Sequence, residues 1–306
     1  MTSHRPAQSG LWYGLAAFGL WGLFPIYWKL FAAVPAPQLL AHRIAWSFVA
    51  LAAMLAAMRR EGRRAIGSVS TKVVALYTLA ALLIAVNWFL YIWAVNAGFV
   101  LETSLGYFIT PLVNVTLGVM AFRERLRRAQ WVAVGVATAG VLYLGRAYGS
   151  LPWIAIGLAL SFGGYGLVKK KAPLSSLDGL TLETAILFLP AVAWLVTLHA
   201  SGAGVFARGD LRTDLLLATS GVITIVPLLL FASAVQRVTL STIGILQYIA
   251  PTIQLFLGVL VYGEAFTRSR QIGFAFVWVA LIIFAADGIR ARRVSAPFAV
   301  VDEPVV

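Results

Sequence analysis

The chain has no cysteine and only three histidines in 306 residues, and just 11% of it is charged. Without cysteine there is no disulfide framework, no thiolate nucleophile and no thiolate metal site. His4, His42 and His199 are scattered, and no aspartate or glutamate falls at mid-depth in any long apolar segment. Neither a nucleophile–base pair, a metal cluster nor paired carboxylates can be assembled from such a set, so neither an enzyme nor a cofactor is expected. A soluble domain carries about 25% charged residues, more than twice the fraction found here. What fills the gap is apolar, 61% of the chain. Leu11 to Phe31 carries one charge, Lys29, while Val73 to Val100 and Leu215 to Gln236 carry none. Runs of 18 or more apolar residues cross a hydrocarbon core of roughly 30 Å as helix, and the polar stripe of a soluble bundle helix is missing.

Charges, prolines and glycines divide the chain into ten predicted spans, at 11–32, 37–58, 72–97, 101–122, 129–147, 151–169, 179–199, 213–235, 239–262 and 269–288. The first run is too long for a signal-peptide core and more spans follow it, so it reads as an uncleaved first helix. Connections are short, the longest being 59–71 and 200–212, and residues 289–306 read as a disordered cytoplasmic tail. The net charge of +13 sits in clusters between the runs, where it acts on lipid headgroups and insertion rather than on nucleic acid. Ten spans place Arg5, Arg59, Arg60, Arg63, Arg64, Lys72, Arg123, Arg125, Arg127, Arg128, Lys169, Lys170, Lys171, Arg237, Arg290, Arg292 and Arg293 on one side. The other side receives only Arg146, Arg208, Arg212, Arg268 and Arg270. That asymmetry predicts both termini in the cytoplasm.

A shift of 140 residues superposes Leu90, Ala94, Val95, Ile109, Pro111, Leu117, Gly118, Val119 and Glu124 on Leu230, Ala234, Val235, Ile249, Pro251, Leu257, Gly258, Val259 and Glu264 without a gap. The skeleton P-x5-LGV-x4-E recurs, and neither proline nor glutamate is a generic membrane residue. Residues 1–147 and 148–288 are therefore two five-helix repeats. Because five is odd, the second must enter the membrane from the opposite side, which is the architecture of many secondary transporters. The fold class expected is all-α and integral to the membrane, with ten transmembrane helices as two inverted repeats around a central cavity.

The stretches HRIAWSF (42–48), NWFLYIWAVN (87–96), ETSLGYFITPLVNVTLGV (102–119), SLPWIAIGLALSFGGYGLVKK (150–170), TIVPLLLFASAV (224–235), STIGILQYIAPTIQLFLGVLVYGE (241–264) and FAFVWVALIIFAAD (274–287) span nearly the whole chain. They resemble the drug/metabolite transporter superfamily, its EamA branch, and within that the RarD proteins. The resemblance implies a ten-helix transporter of the inner membrane, and the link of RarD proteins with chloramphenicol sensitivity suggests drug export. One departure is local: the family's Gly-Glu pair after the fourth span reads Arg123-Glu124, while Gly263-Glu264 keeps it. That weakens the expectation of a tight helix end at the first position.

A polar side chain in the hydrocarbon region is costly and turns toward a cavity or a neighbouring helix. Tyr107, Pro111, Asn114 and Gly118 share one face of the fourth span, and Gln247, Pro251, Gln254 and Gly258 repeat the spacing in the ninth. Asn114 and Gln254, flanked by Tyr107 and Gln247, are candidate substrate ligands, with interhelical clamping as the alternative use of their amides. Asn87, Tyr91 and Trp21 complete an aromatic-lined pocket suited to stacking, and Pro25, Pro111 and Pro251 are candidate hinges. Lys29, His42 and Arg43 are candidates for an anion-attracting vestibule, with snorkelling as the alternative. The partners expected are a small-molecule substrate and membrane lipid, with no nucleic acid; a homodimer is left open. The expected function is carrier transport of a partly apolar or aromatic solute. An intramembrane enzyme, or a channel or scaffold without carrier activity, stands as the alternative.

Overall fold

The computed structural model describes residues 4–31, 33–60, 70–97, 99–148, 152–263 and 267–294. It is built from helices α1 (His4–Trp28, continued by a 3-10 turn Lys29–Phe31), α2 (Ala36–Arg60), α3 (Thr71–Asn96), α4 (Val100–Phe122) and α5 (Arg128–Tyr148) in the first repeat. The second repeat holds α6 (Trp153–Lys171), α7 (Ser176–Ala200), α8 (Leu211–Val235), the broken span α9 (Leu240–Gln247) with α10 (Ile249–Phe256) and a π turn (Leu257–Val261), and α11 (Arg268–Val294). The starts of α7, α8 and α9 are set by Ser175, Asp210 and Thr239, whose side chains accept from free amides of the first turn. α11 runs on through Arg290 to Val294, beyond the point where a disordered tail was expected to begin, and residues 289–294 contain no helix breaker. Residues 295–306 lie outside the described residues, as do Arg63, Arg64 and Glu264.

Eight of these helices are long and apolar enough to cross a membrane by themselves. α5 and α6 complete the ten. α6 ends in three lysines and is the most enclosed, with Ile154, Ala155, Leu158, Ala159, Tyr165 and Val168 all buried. A helix surrounded by protein has little surface to offer to lipid and need not be uniformly apolar.

The principal helix contacts obey the two-fold relation read from the sequence. Exchanging repeats turns α1–α8 into α6–α3, α2–α8 into α7–α3, and α4–α6 into the packing of α9 and α10 on α1; all six are major contacts. The contacts α2–α7, α4–α9 and α5–α11 map onto themselves. The halves are thus interlocked, with each repeat packed mainly on the other. At the pseudo-two-fold axis two equivalent residues meet, the Tyr248 hydroxyl donating to the Phe108 carbonyl over 3.1 Å. Gly244 lets α9 and α4 close there, since a Cβ on it would stand 2.6 Å from the Pro111 carbonyl oxygen.

The recurring skeleton has an architectural role in the first repeat. After α4 the chain turns at Arg123, which adopts the left-handed conformation (φ 53°) that Gly263 adopts in the second (φ 67°). The tight helix end survives without its glycine, and Glu124 folds back so that its amide donates to the Gly118 carbonyl. The Glu124 carboxylate then accepts from Leu240 N (2.7 Å), Ser241 N (3.0 Å) and Ser241 Oγ (2.6 Å), capping the N-terminus of α9 across the repeat boundary. Gly118 is required for this, because a Cβ there would lie 2.5 Å from Glu124 Oε2.

The two ends of the bundle differ. Along the inward stripe of α3, Tyr77 and Ala80 are fully buried and Ile84 nearly so, whereas Trp88 is half-buried and Tyr91 is 37% exposed. On α4, Asn114 is fully buried while Tyr107, two turns away on the same stripe, is 37% exposed. The main core cluster, including Phe18, Leu51, Tyr165, Phe231, Val235 and Leu240, fills the end that carries the chain termini. At the other end Trp28 of α1, Arg43 of α2, Trp88 and Tyr91 of α3 and Tyr107 of α4 gather with part of their surface exposed, and the space they border is here called the cleft.

The left-handed Arg123 gives a direct test. An L-residue with a Cβ costs roughly 1–2 kcal/mol there relative to glycine, so Arg123→Gly is expected to stabilise the protein by about 1 kcal/mol, read as a raised unfolding temperature in detergent. A lowered temperature would contradict the strained turn.

Candidate functional site

The cleft converges on Arg43. The residue sits two turns into α2, on the face turned toward α8, where its Nε donates to Thr224 Oγ1 over 3.0 Å. The guanidinium carbon lies 4.5 Å from the ring centre of Trp28 on α1 and 4.8 Å from that of Trp88 on α3. Its two aromatic neighbours offer the negative faces of their rings to the cation. Tyr27, Tyr91 and Tyr107 lie within range of its charge, with Tyr91 and Tyr107 in edge contact at 6.0 Å between centroids. Tyr27 is held by donation to the Leu216 carbonyl (2.8 Å) and by contact with Thr219 Oγ1 (2.9 Å) on α8. Beneath Arg43 a small void of about 20 Å³ is lined by Ser47, Ile84, Trp88, Tyr165, Glu183 and Thr224 among others.

That void ends on a buried ion pair. Lys169 Nζ stands 2.7 Å from Glu183 Oε1, with both side chains almost wholly out of solvent, and Tyr165 donates to Glu183 Oε2 at 3.1 Å. The rings of Tyr77 and Tyr165 also flank the ammonium, at 5.3 and 5.9 Å. The sequence grouped Lys169 with headgroup-facing lysines. The structure corrects that placement, since the Lys169 side chain turns inward to Glu183. Three lysines in a row look alike in sequence, and only the α6–α7 contact separates them.

The predicted polar ligands are placed as follows. Asn114 donates to Gln247 Oε1 over 2.8 Å, across the α4–α9 contact, and both are buried. Asn114 Oδ1 is the one buried side-chain polar atom without a partner among the described residues. It looks toward Gly163 and Gly166 on α6. Gln254 donates to the Trp21 carbonyl (3.1 Å), and Asn87 to the Leu158 carbonyl (2.9 Å) and Ser161 Oγ (3.0 Å). In this conformation these amide nitrogens are spent on helix-to-helix bonds. Trp21 belongs to a wall of rings with Phe18, Phe162 and Phe231, at 5.4, 5.9 and 5.6 Å, which seals the floor of the cleft.

Lys29, His42 and Arg43 face three different surroundings. Lys29 is exposed with its ammonium over the Tyr262 ring. His42 packs on Phe206 at 5.2 Å and borders a groove of about 390 Å³ between α2 and α7 with Gln38, Trp46 and His199. Arg43 alone enters the cleft. Of the three candidate hinges, Pro25 sits just before α1 tightens into its 3-10 turn. Pro251 lies just beyond the break at Tyr248, consistent with the missing N–H that would return to Gln247. Pro111 lies inside an unbroken α4.

The chain is similar to known proteins along nearly its whole length. The model of the EamA-like transporter family matches residues 8–146 and again 151–286. Protein RarD of Streptomyces exfoliatus is 46% identical over 96% of this chain and 93% of its own. The chain belongs to the EamA-like transporter family, in its RarD subfamily. Uncharacterized transporter YojE of Bacillus subtilis is likewise 46% identical, over 95% of this chain and 98% of its own. The protein named chloramphenicol-sensitive protein RarD from Pseudomonas aeruginosa is 30% identical over 95% and 98%. A crystal structure 18% identical to this chain superposes with a TM-score of 0.66 over 94% of it and 99% of that chain, which speaks to the fold alone. The EamA membership and the ten helices make this a multi-pass membrane transporter of the drug/metabolite type.

The buried pair in this EamA protein makes a sharp thermodynamic prediction. Removing one member of a buried ion pair costs about 3–5 kcal/mol, while replacing both by apolar residues is close to neutral. Glu183→Leu alone is expected to be strongly destabilised, and the Lys169→Met/Glu183→Leu double variant to regain most of the loss in thermal unfolding. A double variant no more stable than the single one would show that the pair does not act as a unit.

Proposed function

We propose that this transporter carries a small, partly apolar or aromatic molecule across the bacterial inner membrane by alternating access, with both termini in the cytoplasm. The observation that carries the reading is the difference between the two ends of the bundle: an aromatic cleft open at one, a packed core closing the other. The basic clusters on the side of the termini support the orientation. The cleft therefore faces outward in this conformation.

Two repeats of one design supply a mechanism. Each holds a different shape now, and an exchange of those shapes would close the outer cleft and open the inner end around the same midplane residues. Asn114, Gln247 and Gln254 lie where that exchange is centred, so amides bonded to neighbouring helices in one state are released toward the substrate in passage. The aromatic lining suits a flat solute, and the name of the Pseudomonas relative points to one such molecule, chloramphenicol. The partners are thus a small-molecule substrate and lipid. A carrier of this kind needs no catalytic group and no cofactor.

The cysteine-free chain makes the test clean. With single cysteines at Tyr91 and Leu228, an impermeant maleimide is expected to modify Tyr91→Cys only from outside and Leu228→Cys only from inside. Flux of radiolabelled chloramphenicol into proteoliposomes is expected to saturate and to show counterflow. One reagent reaching both positions from one side, or an ohmic current, would replace the carrier with a channel.

A further inference from the structure

We propose that Arg43 is the substrate-recognition centre of the outer cleft, and that it selects an organic monoanion: a carboxylate joined to a flat apolar body. The proposal rests on the transport reading, in that the cleft is taken as the substrate's route.

The argument begins with the arginine's unmet bonding. A guanidinium has five N–H donors in a planar fork. Here Nε–H is given to Thr224, and among the described residues neither terminal nitrogen has a hydrogen-bond or ion-pair partner. The four remaining donors lie along the edges of the fork, while the rings of Trp28 and Trp88 attend the cation. A charge at this depth is costly unless compensated. The other inward-facing cation, Lys169, has its carboxylate in Glu183 at 2.7 Å. Arg43 has quadrupoles and a hydroxyl instead, so its compensation is incomplete until an anion arrives.

The surroundings narrow the ligand. The free edges match the two oxygens of a carboxylate in bidentate fashion. Among the described residues Arg43 is the one guanidinium placed there, and Lys29, the other basic side chain of this end in α1 and α2, is engaged with Tyr262. One fixed positive charge balances a monoanion, whereas a phosphate dianion would remain half-neutralised in a poorly solvated site. Trp28, Trp88, Tyr91 and Tyr107 line the space beside the fork with ring surface. A planar apolar body attached to the carboxylate would stack there, and the hydroxyls of Tyr91 and Tyr107 are the polar groups next in reach. Thr224 holds the fork in register and so acts as a positioning residue.

The test uses matched pairs of solutes that differ only in charge, benzoate with benzamide and indole-3-acetate with indole-3-acetamide, titrated against the full-length purified protein by thermal shift and calorimetry. Each acid is expected to bind the wild type at least tenfold more tightly than its amide. Arg43→Gln should erase that preference, weakening acid binding at least tenfold more than amide binding; Arg43→Lys should keep part of it, and Thr224→Val should weaken acid binding more than amide binding. Cooperative thermal unfolding of each ligand-free variant is the check that it is folded. Equal affinity for acid and amide in the wild type, absence of binding by any acid, or a preference that survives Arg43→Gln would overturn the proposal. Saturable counterflow of a neutral solute together with such a result would leave the carrier reading standing and remove only the anion specificity.

Discussion

The packing of each repeat on the other is the constraint from which the remaining structure follows. A five-helix module that crosses the membrane an odd number of times has its successor upside down, and the helix contacts then come as symmetry pairs between modules. Neither half has a core of its own to fall back on, because α1 rests on α8, α6 on α3, and α4 on α6. Interlocking also explains why the glutamate at the end of one module caps a helix in the other. The carboxylate of Glu124 satisfies backbone amides at the head of α9 that have no intrahelical partner.

Polar groups within the bundle divide by position. Toward the end carrying the termini Lys169 is satisfied by Glu183, which also accepts from Tyr165, while midway Asn114 donates to Gln247 and keeps its own oxygen unpaired. At the other end Arg43 and the tyrosines around it lie beside open space. The two inward-facing cations thus differ in chemistry as well as in position: Lys169 is neutralised by Glu183 in the packed part of the bundle, and Arg43 stands among aromatic rings beside the cleft.

Much of this was legible in the sequence, and for identifiable reasons. Helix positions followed from run length and from the prolines, glycines and charges between runs; the repeat followed from nine residues matching at one fixed spacing. Arg43, Tyr91, Tyr107 and the amides were flagged because polar groups are rare in such segments. What stayed hidden depended on which helix faces which. The sequence paired Asn114 with its repeat-equivalent Gln254, but the neighbour across the α4–α9 contact is Gln247, about two turns earlier on the same span. Lys169 was indistinguishable from Lys170 and Lys171. The recurring glutamate signalled duplication without revealing that Glu124 is a cap, since its partner lies more than a hundred residues away. Arg123 shows the limit of a residue-type rule, for an arginine holds the left-handed turn where glycine was the expectation.

The straight α4 and the interrupted α9–α10 span descend from one skeleton, with a proline at the same place in each, yet one bends near Tyr248 and ends in a π turn while the other runs unbroken. Under alternating access, reversing direction amounts to trading curvature between this pair. The two resting orientations would then be mirror arrangements of unequal material, since the partners of Pro111 and Pro251 are not the same residues. Such a machine has a built-in bias toward one orientation, written in the side chains around a single kink.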